Sequence, residues 1–232
     1  MAVRPFILNT LSSNNGANRP SPGKIKRSVL SSEGRTKLNL NPDREFYSYP
    51  RFVTHVDDGF ISTLKNVYRQ KLRPECEILD LMSSWELARN PRLDYFFIKD
   101  LNIDQKLELG SESLDAVLCT VSVQYMQEPE KVFAEIFRVL KAGGVVIVSF
   151  SNRMFYEKAI AAWREGSAYS RTQLVVQYFQ AVEGFTEPQV TKIIPTRESE
   201  LSNLKWIQKV LALFSHSDPF YSVIAYKNFR PT

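Results

Sequence analysis

Apolar positions along the chain fall into two periods. In "ISTLKNVYRQKL" the residues Ile61, Leu64, Val67, Tyr68 and Leu72 recur at helical spacing, and Pro74 ends the run. "EILDL", Glu77 to Leu81, then has the length and β-branched start of a strand, and "YFFIKD", Tyr95 to Asp100, and "LDAVLCTV", Leu114 to Val121, are predicted as two more. "QEPEKVFAEIFRVLKAGG" returns to helical spacing: Val132, Ile136 and Leu140 form one stripe with Phe133 and Phe137 beside it. Pro129 suits its first turn and Gly143 its stop, after which "VVIVSF" runs as a buried strand. Strand, helix and strand within some thirty residues make a βαβ unit. The predicted fold class is therefore α/β, with a largely parallel sheet covered by helices.

Downstream, "FYEKAIAAWREG" is predicted as a helix closed by Gly166, and "SRTQLVVQYFQAVEG" as one opened by Ser170 and closed by Gly184. A strand "QVTKII", a helix over Glu198 to Phe214 and a closing strand "FYSVIAYK" complete the pattern. At 232 residues with 44% hydrophobic content, one domain with a tail is expected, and no apolar run reaches the roughly 20 residues of a membrane span.

Charge changes the picture at one end only. Residues 1–37 hold seven basic side chains against the single acid Glu33, which accounts for the net +5 and leaves the remainder near neutral. A nucleic-acid footprint should lie on the folded part, so DNA and RNA are not expected partners. Residues 1–32 lack acids and are rich in Ser, Asn, Pro and basic residues, the composition of an organelle transit peptide, with chloroplast favoured over mitochondrion. Residues 1–37 are read as a disordered tail and 38–232 as the domain. Cys76 and Cys119 are far apart, and no His or Cys pair has metal spacing, so neither a disulfide nor a metal site is indicated.

The stretch "LDAVLCTVSVQYMQEPEKVFAEIFRVLKAGGVVIVSFSNRMF" resembles the second half of a class I S-adenosylmethionine-dependent methyltransferase of the widespread small-molecule type, with Ala142 where proline is more usual. "EILDL" is similar to the family's first strand, and "FVTHVDDGFISTL" and "SFSNRMFYEKA" resemble a plant and cyanobacterial branch. The resemblance implies a Rossmann-like sheet with helices on both faces, S-adenosylmethionine as cofactor and a small-molecule methyl acceptor as partner. Carried over residue by residue, it implies cofactor contacts at Asp80, Asp100, Leu101, Cys119 and Thr120, and acceptor contacts at Gln124, Tyr125, Asn152 and Arg153. No catalytic base follows from it, because displacement on an activated sulfonium needs mainly alignment.

The chain departs from this family at one place. Met82-Ser83-Ser84-Trp85 stands where a Gly-x-Gly turn would receive the cofactor, and each added side chain narrows the approach. Only thirteen residues, Met82 to Asp94, separate "EILDL" from "YFFIKD", too few for the helix, strand and helix of the family. The sheet is expected to lack one strand and a covering helix, leaving either a gap or a pairing of "YFFIKD" with "EILDL", and the apolar surface so exposed predicts poor solubility. Two functional readings follow. One is methyl transfer to a small molecule; the other is a non-catalytic methyltransferase-like module or inactive splice product that acts through protein interaction. Without G-x-G-x-x-G, a nicotinamide enzyme is a remote third.

Overall fold

The computed structural model describes residues 23–46, 55–83, 93–94, 96–194 and 218–231. A short helix α1 (Asp43–Phe46) and the leader helix α2 (Asp58–Lys71) precede strand β1 (Ile78–Leu81). Strand β2 (Leu114–Thr120), a 3-10 turn (Val123–Tyr125), helix α3 (Pro129–Val139) and strand β3 (Leu140–Phe150) form the βαβ unit. Helices α4 (Ala161–Arg164) and α5 (Ala168–Gln180) lead to strands β4 (Gln189–Ile193) and β5 (Phe220–Tyr226). The expected helix at 198–214 lies outside the described residues.

The five strands stand in the order β1-β2-β3-β5-β4, with β1, β2 and β3 parallel and β5 antiparallel to both its neighbours. Alternation along the strands sends side chains to two faces. Val117, Cys119, Val146, Val148, Val223 and Ala225 point to the face covered by α3 and α5, where Phe133, Ile136, Val175 and Phe179 close the main core. Ala116, Leu118, Val145, Ile147, Ile224 and Tyr226 point to the other face, against Val67, Tyr68 and Leu72 of α2. The α/β class with helices on both faces is thus observed.

Several boundaries differ from expectation. Phe96 to Asp100 forms no strand, and Tyr95 lies outside the described residues; among those described, β1 has β2 as its single neighbour and stands at the sheet edge. Apolar pattern alone does not make a strand when no partner edge meets it. Helix α3 stops at Val139 instead of at Gly143, because Leu140 is already extended and pairs with Leu114 across a bulge. Gly143 serves there with φ +77, its amide donating to the Lys227 carbonyl. The helix expected over 155–166 shrinks to α4, since the Ile160 amide is taken by the Gln124 carbonyl and buried Lys158 is pulled onto Asp43 at 2.9 Å. Helix α5 opens at Ser167 rather than Ser170, the Ser167 hydroxyl accepting from the Ser170 amide at 3.2 Å.

Residues 23–37, assigned to the tail by composition, pack on the domain. The amides of Gly23 and Lys26 donate to the carbonyls of Glu183 and Ala181, and Leu30 is buried in the main core. The buried Glu130 carboxylate at the start of α3 accepts from the amides of Val29 and Leu30 and from the Arg35 guanidinium at 3.0 Å. Further on, Lys37 and Lys158, both buried, share Asp43 at 3.2 and 2.9 Å. Burial lowers the pKa of Lys37, against the pull of Asp43. This strap is held largely by backbone groups, which composition does not display.

Candidate functional site

The carboxyl ends of β1, β2 and β3 lie side by side, Leu81 opposite Cys119 and Thr120 opposite Ser149. In open parallel sheets this edge is where ligands bind. Two residues just past it hold left-handed backbone without being glycine: Met82 after β1, with φ 59, and Val121 after β2, with φ 51. Such conformations cost about 1–3 kcal/mol each and cluster at functional sites. At Met82 the chain keeps the turn conformation that glycine gives freely, although the side chain remains and packs against the core. Ser84 and Trp85, the rest of the expected turn, lie outside the described residues.

Asp80 is solvent-accessible at the β1 edge. The surrounding protein raises its pKa, with a hydrogen bond from Ser83 opposing the rise. Asp80 faces the α2 side, since it stands opposite Leu118 in the register and Leu118 packs with Tyr68. Thr120, two residues beyond Leu118, faces the same side. Its hydroxyl meets the Tyr68 hydroxyl at 2.8 Å and accepts from Ser149 at 3.4 Å. Cys119 is buried on the opposite face beside Ser122 Oγ at 3.3 Å, and burial pushes its thiol up to about 12, so it packs as a small hydrophobe.

Asp100 and buried Leu101 reach the same end of the molecule by a turn. The Asp100 carboxylate accepts from the Asn102 amide at 2.9 Å, while the Asn102 side chain accepts from the Gln127 amide at 2.7 Å, just past the 3-10 turn. Asp100 thus caps its own loop. It also borders an open groove of about 410 Å³ with Phe97, Ile98, Ile103, Asp104 and Glu108. We place the site at the strand ends, because the groove is lined largely by exposed apolar side chains.

The residues expected to meet an acceptor separate into two pairs. Gln124 and Tyr125 are buried in the 3-10 turn: the Gln124 amide donates to the Val121 carbonyl at 3.0 Å, and the Tyr125 hydroxyl accepts from the Phe155 amide at 2.8 Å. The Gln124 side-chain oxygen has no partner among the described residues. Asn152 and Arg153 are exposed after β3, and Arg153 is engaged by buried Asp218 at 2.7 Å. Asp218 and Asp57 exchange hydrogen bonds, each carboxylate accepting the other's amide, and the Asp57 carboxylate also caps α2. Tyr68 and Ser149 were missed by sequence reasoning, because helix periodicity spends the first, and strand periodicity the second, on packing. Among the described residues no three potential ligands gather into a metal site, and no helix is long and apolar enough to cross a membrane.

Residues 80–148 match a methyltransferase domain. The match begins at Asp80 inside β1, takes in Met82, β2 and α3, and ends at Val148 within β3; it supports a methyltransferase reading of this part of the chain. No curated protein matches the chain. Among solved structures, an S-adenosylmethionine-dependent methyltransferase of Mesorhizobium loti is similar at 15% identity, covering 70% of this chain and 96% of its own, with a TM-score of 0.44. A SAM-dependent methyltransferase of Thermotoga maritima is similar at 19% identity, covering 74% and 97%, with a TM-score of 0.42. The methyltransferase complexed with the Trm112 activator of Haloferax volcanii is similar at 16% identity, covering 74% and 92%, with a TM-score of 0.47. At such identities and TM-scores these resemblances add nothing to the domain match.

Proposed function

We propose that this chain transfers a methyl group from S-adenosylmethionine to a small molecule at the carboxyl ends of β1 and β2. The observation that carries the reading is the methyltransferase match over 80–148, falling on a parallel β1–β2 pair whose ends keep a left-handed turn at Met82 beside Asp80 and Thr120. The residues present fit the cofactor in part. Asp80 offers an accessible carboxylate to its amino group, Thr120 a hydroxyl, and Leu101 an apolar wall beside the Asp100 turn. Bound there, S-adenosylmethionine supplies an electrophilic methyl on sulfur. The protein's task is to orient it and keep water out, which alignment can do without a dedicated base. Gln124 and Tyr125 lie on the acceptor side of this edge. The Gln124 oxygen lacks a partner among the described residues but is fully buried, so a substrate N–H or O–H reaches it only if the 3-10 turn opens.

The same reading extends to lineage and location. The shortened stretch from Met82 to Asp94 is a loss of strand and helix from inside a plant- or cyanobacterial-type member, and the single neighbour of β1 among the described residues supports it. The acid-free composition of residues 1–32 supports import into a chloroplast; processing would then fall before Gly23, whose amide is bonded to Glu183 of the domain. Incubating the full chain with methyl-labelled S-adenosylmethionine and pools of small-molecule acceptors tests the function. Label transferred to any acceptor supports it, and its absence across the pools, with cofactor binding intact, would favour a non-catalytic module.

A further inference from the structure

Lys158 is fully buried, and its ammonium is met by groups from one short stretch of the strap. It donates to the Asn41 carbonyl, pairs with the Asp43 carboxylate at 2.9 Å and lies 5.0 Å over the Phe46 ring. The same carboxylate meets the buried Lys37 ammonium at 3.2 Å and the Asn102 side-chain amide at 3.2 Å. One carboxylate thus serves two ammonium groups. Among the described residues Asp43 is the one hydrogen-bond partner of Lys37, whose ammonium carries three protons. Burial, helped by the charge of Lys158, lowers the Lys37 pKa although Asp43 and Asp100 both act to raise it, so the negative charge on hand does not fully compensate the pair.

The lysines are fixed to the domain in a way that Asp43 is not. The Lys158 amide donates to the Phe155 carbonyl at 3.0 Å, and the Phe155 amide donates to the Tyr125 hydroxyl at 2.8 Å, which ties this loop to the acceptor side of the sheet edge. Lys37 is tied to the same loop, because the Leu38 and Asn39 amides that follow it both donate to the Glu157 carbonyl. Asp43 instead opens α1, a single turn of four residues, too short to be stable without tertiary contacts. Phe46 stands three positions on, on the same helix face, and sets its ring edge-on to Phe155 at 5.5 Å. Helix α1 therefore offers a carboxylate to two lysines and a ring to Phe155, the two recognition groups of an aromatic acid.

We propose that α1 fills the subsite of the methyl acceptor, and that the acceptor is an aromatic carboxylic acid: its carboxylate replaces Asp43 between Lys37 and Lys158, and its ring replaces Phe46 against Phe155. The carboxylate is the handle, and another atom of the acceptor receives the methyl group. The inference rests on the methyltransferase reading and adds to it a substrate class and a displaceable plug, both built from residues outside the matched domain.

The test titrates the full chain with benzoate and with benzamide, two probes of similar shape of which only the first is charged. Benzoate should speed hydrogen exchange over residues 40–46 several-fold as α1 is displaced, and benzamide should not. Asp43→Asn removes the competing charge at nearly constant shape and should raise benzoate affinity about tenfold, the size of one hydrogen bond between charged groups. Lys158→Met should abolish the benzoate response; should that variant fail to fold, Asp43→Asn decides alone. Benzoate that binds neither the wild type nor Asp43→Asn, or binds no better than benzamide, would overturn the inference and leave the cluster a buried ion pair. S-adenosylhomocysteine titrated into the same samples separates the two readings. If it binds, such a failure touches the acceptor alone; if it does not, the methyltransferase reading falls and this inference with it.

Discussion

The two halves of the sheet are built to different standards. From β2 through β3 to β5, the buried strand residues Val117, Val146, Ile147, Val148 and Val223 are fully enclosed, with α3 and α5 on one face and α2 on the other. Among the described residues the sheet ends at β1, a four-residue strand, and in the segment between β1 and β2 Ile98 and Ile103 are 85% and 78% exposed. The candidate ligand-binding edge straddles this divide: Thr120 and Ser149 belong to the closed half, Asp80 and Met82 to the open one. The core that stabilises the domain and the surface that would grip a cofactor can therefore fail independently, and substitutions should separate them.

The largest effect is expected deep in the closed half. Phe133 is fully buried against Tyr178 and Phe179, and Phe133→Ala should cost about 3–5 kcal/mol, seen as a large drop in the denaturation midpoint. Next comes the strap. Glu130→Gln weakens the hold on Val29, Leu30 and Arg35 and should cost about 2 kcal/mol. Burial by itself would raise the Glu130 pKa, but the Val29 and Leu30 amides and Arg35 outweigh it and hold the carboxyl below the usual range. A depressed folded-state pKa contributes stability above the unfolded value of about 4.3 and loses it as pH falls through the folded value. Melting curves should therefore show the wild type converging on Glu130→Gln as pH is lowered from 5 to about 3.

Smaller changes are expected at the open edge. Met82→Gly exchanges left-handed strain for lost packing, so stability should move by no more than about 1 kcal/mol, while affinity for S-adenosylhomocysteine should rise several-fold as the turn clears. Ile98→Ser should be smallest in stability, within about 0.5 kcal/mol, and should show instead as less self-association in sedimentation. A large loss of stability from Ile98→Ser would mean that the edge is covered in solution, and the contrast between the halves would collapse.

The closed half was legible in the sequence because its periodicities are long and mutually consistent. The stripe of Val132, Ile136 and Leu140, the Pro129 start and the run from Val145 to Phe150 left one arrangement, and the structure has it. What was not legible depends on partners. Phe96 to Asp100 has strand composition but joins no described strand, while Ile160 is turned out of a helix by the carbonyl of Gln124. The strap from Gly23 to Lys37 has the composition of a tail because its attachments are backbone amides, one carboxylate and one apolar anchor, Leu30. At the site, Asp80 and Thr120 were readable from their places at strand ends, whereas Tyr68 was not. Its place there depends on a hydroxyl crossing from a helix to a strand 52 positions away.

The central claim is that the edge shared by the two halves still holds the cofactor despite the lost glycines. Calorimetric titration of the full chain with S-adenosylhomocysteine, after a cooperative melt has shown the sample folded, tests it most directly. Saturable one-to-one binding that is weakened in Asp80→Ala is the predicted result. A folded chain that shows no heat of binding would contradict the account and leave the turn at Met82 a remnant of a site.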